Sequence, residues 1–363
     1  MRILLLGDYS GLHMNLAEGL LELGYDVKVA SGGDLWKAFD RDIDLKQPER
    51  FKHPLFLLKL AKALPHLCGH DIVQFINPNP LTTNPIFNFF FIEFIRRFNK
   101  NIFLGANGMD HYYFEAAYNG KFKHSVFQVP ELKNEEYINQ LIIGQKNQHL
   151  INQNIKLANI SSGISACAVG YYYAYQPYFT DKTRFIPLPI NIDKYPFVNN
   201  ISSKTKKISF FIGKMKGREK RKGIDIIESI LNELQHQHPS SVAIKTVSSV
   251  PFNQYTEMMN SSHVLCDQMY AYNIGMNGLI AQSKGLIACG GADNDFYKLI
   301  NEHDNKPIID LNKPRQEVKD SLEELLANRN KTIEQAHASR EYVVKHHNYI
   351  KVAQQYIDFW KNI

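Results

Sequence analysis

A chain of 363 residues with 44% hydrophobic and 21% charged residues has the balance of a folded globular protein and exceeds the size one core usually sustains. Disorder and fibrous repeats are excluded, and two domains are expected. The net charge of +6 is modest, and Cys68, Cys167, Cys266 and Cys289 fall in no CxxC or Cys/His spacing, which predicts free thiols in a reducing compartment rather than a metal centre.

From the N-terminus, strand and helix signals alternate. Residues 3–6 read as a buried strand, too short for the core of a signal peptide. A helix over 15–23, a strand over 27–30, a helix over 55–64 and a strand over 72–76 follow. A phenylalanine-rich helix over 86–98 then leads to a strand over 102–104. Its Phe87, Phe90, Phe91, Phe94, Ile95 and Phe98 recur at helical spacing, and interruption by Asn88, Glu93, Arg96 and Arg97 leaves it short of a membrane span. The expectation is a helix packed on a sheet. Such alternation predicts a parallel sheet covered on both faces, with ligands beyond the carboxyl ends of the strands. Those ends carry small and polar residues: Gly7 to His13, Ser31 to Asp34, Asn77 to Pro80, and Gly105 to His111.

Residues 112–159 show few strand signals and predict helices with an elaborated loop. A strand within 160–169 and an aromatic helix over 171–179, stopped near Pro177, come next, then a strand over 185–193 running into a proline turn. Residues 191–207 are polar and without apolar periodicity, which marks a linker. Beyond it the alternation restarts: a strand at 208–212, a helix from 224, a strand over 242–247, a helix over 252–259, a strand over 264–266, a helix over 276–284 and a strand over 286–289. The tail from Asn348 carries Val352, Tyr356, Phe359 and Trp360 on one helical stripe.

The strand over 208–212 opens the most informative stretch. It runs into Gly213 and Lys214, then through Arg221, Lys222 and Gly223 into the next helix. Lys204, Lys206, Lys207, Lys216, Arg218 and Lys220 add to the local positive charge. An apolar strand, a basic glycine-containing loop and a helix start can set backbone N–H groups, a helix dipole and cations against a phosphate. Such a cluster suits nucleic acid, acidic lipid or a diphosphate. No zinc-finger, RRM, KH or basic-helix pattern accompanies it, which argues against nucleic acid. The Walker spacing is absent, and a solvated basic turn is the plain alternative.

The order of several motifs resembles the GT-B glycosyltransferases, specifically the retaining family 4 group. The residues are Phe211 to Lys214 with Lys222 to Asp225, Asp267 and Gln268 with Gly275 and Gly285, Leu188 to Asn191, and His346 to Ala353. The likeness covers nearly the whole chain and fits the middle least well. It implies two Rossmann-like domains in tandem: an acceptor-side domain over 1–192, a linker over 193–207, a nucleotide-sugar domain over 208–345, and a terminal helix over 346–363 crossing back to the first domain.

The resemblance implies transfer of a sugar from a nucleotide-diphosphate donor to a glycan, lipid-linked or polysaccharide acceptor, with retention. Neither metal nor cofactor is implied, since the nucleotide sugar is a co-substrate. Lys214 and Lys222 match the basic pair that neutralises the diphosphate, with Arg218 and Arg221 as helpers, where fixed cations stabilise charge on the departing group. Tyr272 and Ile280 stand where the family has two glutamates, and isoleucine cannot accept a ribose hydroxyl. Asn273 and Asn277 are candidates to take over polar contacts beside Gly275. Gly11 and His13 match the acceptor-side glycine loop, and Asp110 and His111 the loop near the reacting sugar, where a histidine could take an acceptor proton. The setting expected is cytoplasmic, and the basic cluster within 204–222 is expected to form a rim around a nucleotide pocket that also makes peripheral contact with the inner membrane face. A donor-blind binding subunit and a sugar-nucleotide epimerase are the competing expectations.

Overall fold

In the computed structural model, which describes residues 1–363 apart from 35–38, 48–53, 81–84, 200, 215, 216, 218, 249 and 363, the chain divides into two units, each built on its own parallel sheet. The first unit comprises Met1–Lys121, Asn134–Pro189 and Tyr349–Ile363. Its described strands are β1 (Arg2–Leu6), β2 (Asp26–Ser31), β3 (Ile43–Asp44), β4 (Ile72–Phe75), β5 (Asn101–Ala106), β6 (Gly163–Ala166) and β7 (Thr183–Phe185), in the order β3-β2-β1-β4-β5-β6-β7. Residues 3–6 of β1 and 163–166 of β6 are buried throughout, as strands covered on both faces require.

The helices of this unit are α1 (Leu12–Glu22), α2 (Pro54–Ala63), α3 (Pro85–Phe98), α4 (His111–Tyr118), α5 (Glu136–Gln145), α6 (Gln148–Ile160) and α7 (Val169–Tyr175). Returning strands cross over in the right-handed sense, so the moves β3 to β4 and β4 to β5, which run the same way across the sheet, lay α2 and α3 on one face. The move from β1 to β2 runs the other way and lays α1 on the opposite face. There Leu16 and Leu20 join Ile3, Leu5, Val27, Val29 and the C-terminal residues Val352, Tyr356 and Trp360 in one core. A Cβ on Gly19 would stand 2.3 Å from the Tyr349 carbonyl oxygen, so only glycine lets the terminal segment lie this close to α1.

The second unit comprises Phe122–Lys133 and Ile190–Asn348. Its described strands are β8 (Ile208–Lys214), β9 (Val242–Ser248), β10 (Val264–Cys266), β11 (Ile287–Gly290) and β12 (Ile309–Asp310), in the order β12-β11-β10-β8-β9. The helices are α8 (Ile224–Gln237), α9 (Phe252–Met259), α10 (Met276–Ser283), α11 (Asn294–Leu299), α12 (Arg315–Ala327) and α13 (Arg329–His346), with α14 (Tyr349–Lys361) closing the chain inside the first unit. The core gathers Ile208, Phe210 and Ile212 with Ile227, Leu231, Leu234, Ile287, Leu322 and Leu325.

Several placements differ from the sequence reading, among them the strand read over 185–193, which is β7 at Thr183–Phe185 with a 3-10 turn at Ile192–Lys194. Residues 122–133 fall within the span read as the first domain, 1–192, but count with the second unit. Residues 193–207 carry no isolated linker: Val198 and Asn199 donate their backbone N–H groups to the Lys284 carbonyl at 3.0 and 3.2 Å, fixing the segment to the second unit. On α3, Asn88, Phe91, Ile92 and Ile95 form the inward stripe and are buried, whereas Phe89, Phe90 and Phe98 are exposed. Six phenylalanines exceed what one face of a helix can bury, so the aromatic pattern wraps around it.

Candidate functional site

The carboxyl edge of the second sheet gathers the loop after β8, the end of β10 and the start of α10. Gly213 and Lys214 end β8, and Lys220 to Lys222 form a single 3-10 turn. Gly223 then sits at φ +66° and caps α8; a side chain there would meet both the left-handed penalty and the Met269 sulfur at 2.6 Å. The Ile224 N–H is spent on the Glu219 carbonyl at 3.0 Å, so this helix start offers fewer free donors than its sequence suggests.

Both cations picked out by the sequence rest against carboxylates. Lys214 Nζ lies 2.6 Å from Glu228 Oε1 on α8, and Lys222 Nζ lies 3.6 Å from Asp267 Oδ1, just past the end of β10. The lysines are partly exposed while Asp267 is buried, so Lys222 also serves to neutralise a carboxylate inside the protein. Arg221 is half-buried in the same turn. Arg218 lies outside the described residues.

The α10 start contributes an uncapped helix end. Gly275 is the N-cap, no side chain caps the helix, and a Cβ built on Gly275 meets no atom within 4 Å, so this end borders open space. Asn277 is half-buried one residue into the helix, whereas Asn273 is buried and donates through Nδ2 to the Ile274 carbonyl at 3.0 Å. Ile280 is buried within the unit. Tyr272 is buried too, and its hydroxyl oxygen accepts the backbone N–H of Lys123 at 2.8 Å.

That contact belongs to a cluster the sequence did not reveal. His124 Nε2 lies 2.9 Å from Asp293 Oδ2, Lys123 Nζ lies 2.7 Å from Asp295 Oδ2, and the Phe122 and His124 rings both meet Tyr272 edge-on. Asp293 and Asp295 are a helix cap and an ion-pair anchor: Asp293 Oδ1 accepts the Asp295 N–H at 2.8 Å and caps α11. Burial alone would raise the Asp293 pKa, but the Asp295 N–H, His124 and Lys123 outweigh it and hold the carboxyl below its ordinary range. Polar residues 149 to 172 positions apart give no sequence signal of such a meeting.

In the first unit the residues after β1 and β5 are more deeply engaged. Gly11 lies at φ +80° as the N-cap of α1. His13 is buried, its backbone N–H donating to Asp8 Oδ1 at 3.0 Å and its ring Nδ1–H to the Gly7 carbonyl at 2.6 Å; burial pulls its pKa down to about 4, so it is neutral near pH 7. Asp110 caps α4: Oδ1 accepts the Tyr113 N–H at 3.0 Å, and Oδ2 accepts the Tyr175 hydroxyl at 2.6 Å. Burial pushes this carboxyl up to about 6, against the opposing pull of those bonds. Asp110, expected from the resemblance in the loop near the reacting sugar, thus has both carboxylate oxygens engaged inside the protein. His111 stays partly accessible, with Nε2 3.7 Å from Glu115 Oε2 and its backbone N–H on Asn154 Oδ1 at 2.9 Å. Burial lowers its pKa, so the ring is a proton acceptor near pH 7.

Among the described residues no group of three or more His, Cys, Asp or Glu side chains is placed to hold a metal ion, and no helix is long and apolar enough to cross a membrane. No protein-family model and no curated protein matches the chain. Solved structures do match over its length. Sucrose-phosphate synthase from Thermosynechococcus elongatus aligns with TM-score 0.62 at 12% identity, covering 100% of this chain and 99% of that one. WaaG, a glycosyltransferase involved in lipopolysaccharide biosynthesis, aligns at 0.55 and 13% over 99% of each. Anabaena HepE, solved in complex with UDP and glucose, aligns at 0.56 and 13% over 100% of each. Two units on parallel sheets, matched end to end by these enzymes, give the chain the GT-B fold of two Rossmann-like domains.

Proposed function

We propose that this protein is a glycosyltransferase that moves a sugar from a nucleotide-diphosphate donor to a glycan, lipid-linked or polysaccharide acceptor, with retention of anomeric configuration. The observation that carries the reading is the pairing of Lys214 and Lys222 at the carboxyl edge of the second sheet, within the GT-B fold. A diphosphate there shares Lys214 and Lys222 with Glu228 and Asp267. Either lysine can serve carboxylate and phosphate together, because an ammonium has three donors.

The two absent glutamates shift the load to the open α10 start. Free N–H groups of a helix end suit an anionic or hydroxyl-rich ligand, and Gly275 leaves them unscreened. Departure of the nucleoside diphosphate builds negative charge that both lysines stabilise, while the leaving phosphate oxygen takes the acceptor proton in a front-face attack. His111, whose ring accepts protons at neutral pH, orients the acceptor hydroxyl; Asp110 acts through it by holding the start of α4. Neither a metal nor a cofactor enters this scheme.

A donor-blind binding subunit is the second reading, favoured by the burial of Tyr272 and Ile280 at the glutamate positions. Thermal-shift measurements with UDP, GDP, ADP and CMP sugars separate the two. A rise in Tm with one nucleotide class, lost in Lys214→Ala with Lys222→Ala, supports the transferase; no rise with any class leaves the binding subunit.

A further inference from the structure

We infer that the loop after β1 holds Tyr9 as a stacking platform for a neutral sugar ring, and that the carboxylates beside it exclude uronates and phosphorylated sugars. The inference rests on the transferase reading for one point alone, that the bound ring is the acceptor, and it names the acceptor's chemical class. The first sheet runs β3-β2-β1-β4-β5 at this end, so the chain leaves β1 towards one edge and returns to β4 on the other side. In an open parallel sheet the crevice beyond such a reversal is where ligands bind. Tyr9 follows β1, Asn77 follows β4 and Gly108 follows β5, and the three meet there.

Tyr9 is inverted relative to an ordinary surface tyrosine. Such a side chain buries its ring and shows the hydroxyl to water; here the hydroxyl oxygen accepts the Asn77 amide N–H, while the residue as a whole is 36% exposed. Burial of the hydroxyl, with Asp34 and Asp110 nearby, pushes its pKa up to about 12. The ring is also pinned. A Cβ on Gly108 would stand 3.2 Å from Tyr9 Cε2, so glycine lets the loop after β5 lie against it, and the Tyr9 carbonyl accepts the Leu12 N–H at 3.0 Å. The next residue, Ser10, sits at φ +55° and donates its N–H to Asp34 Oδ2 at 2.9 Å. A serine in that region is strained, and such strain collects at ligand clamps.

The chemistry of the occupant follows from the ring and its neighbours. A fixed aromatic ring open to solvent offers a flat apolar surface, which matches the C–H face of a pyranose and gives a phosphate no donor. The charges acting on its hydroxyl are the carboxylates of Asp34 and Asp110, and both repel an anion. A neutral sugar ring therefore suits the position, and a uronate or sugar phosphate does not. The lysines after β8 suit the phosphate-bearing donor, so charge sorts the two substrates between the two sheets.

The experiment is saturation-transfer NMR on the full chain without nucleotide. The probes are the methyl glycosides of glucose, galactose, mannose and N-acetylglucosamine, set against those of glucuronic and galacturonic acid and against glucose 6-phosphate. The expected result is binding of a neutral glycoside and of none of the anions. Tyr9→Ala weakens that binding roughly tenfold, and Tyr9→Phe, which keeps the ring, restores most of the loss. Asp34→Asn, which keeps an acceptor for the Ser10 N–H, narrows the gap between uronate and neutral glycoside. An unchanged Tm certifies each fold, and if Tyr9→Ala does not fold, Tyr9→Leu, which fills the space without a π face, takes its place. Absence of binding by every neutral glycoside, a uronate bound by the wild type as well as its neutral counterpart, or binding indifferent to loss of the Tyr9 ring overturns the inference. Nucleotide titration of the same samples keeps the two readings apart. Neutral-sugar binding through Tyr9 with no nucleotide binding upholds the platform and removes the transferase, whereas nucleotide binding with sugar binding indifferent to Tyr9 does the reverse.

Discussion

Asp110→Asn separates a structural carboxylate from a chemical one. In the wild type the buried carboxyl titrates near 6 rather than at its ordinary 3.8. A raised folded pKa means the folded state binds the proton more tightly, so the stability Asp110 contributes is full below the unfolded value and is lost as pH rises through about 6. Between about pH 5 and about pH 7.5 that loss amounts to about 1.4 kcal/mol by linkage. Asparagine cannot ionise, so the component vanishes. It still caps α4 by accepting the Tyr113 N–H, since Asn ranks with Asp as an N-cap. It loses the second acceptor for the Tyr175 hydroxyl, which costs about 1–3 kcal/mol at low pH. Urea unfolding of both proteins at the two pH values gives a double difference in which the other titrating groups cancel. The variant should be the less stable protein near pH 5 and close part of the gap near pH 7.5. A gap that does not change with pH would refute the burial of an ionising carboxyl, and loss of sugar transfer in a variant that folds normally would return Asp110 to the chemistry.

Lys222→Ala should lower transfer by roughly ten- to several-hundred-fold, following the conversion of about 1.4 kcal/mol per decade; steady-state kinetics at wild-type levels would remove it from the donor site. Gly223→Ala forces a side chain into φ +66° against Met269 and should cost about 1–2 kcal/mol, read as a lowered Tm. Trp360→Phe deletes the Nε1–H donated to Gln74 Oε1 at 3.1 Å and leaves a buried acceptor alone. That change should cost about 1–3 kcal/mol in denaturant unfolding. His111→Ala should reduce turnover while leaving nucleotide binding unchanged, and equal turnover would make its role structural.

Much of this architecture was legible because its central strands are buried on both faces and therefore read as apolar runs, as in residues 3–6 and 210–212. The edge strands β3 and β12, with two residues each, hold too few apolar positions to stand out. The helix α13 escaped for a different reason: its inward residues are Thr332, Ala336, Ser339, Tyr342 and Val343, small and polar among the apolar, so its periodicity is faint. At the candidate site, Gly213, Lys214, Lys222 and Gly275 stood out through the order of several motifs along the chain, since glycine and lysine after a strand are by themselves a common turn. Their partners Glu228 and Asp267, and the Lys123 and His124 contacts to Asp293 and Asp295, depend on tertiary neighbours that no spacing rule connects. Asp110 and His13 were recognised as residues of interest, but their engagement by Tyr175 and Gly7 required the folded geometry.

Nucleotide binding by calorimetry tests the central claim most directly, using UDP, GDP, ADP and CDP on the wild type and on the paired Lys214→Ala, Lys222→Ala variant. The account predicts that one of these diphosphates binds the wild type and that the paired variant, still folded, loses that binding. Binding that survives removal of both lysines, or a wild type that binds none of the four, would contradict it.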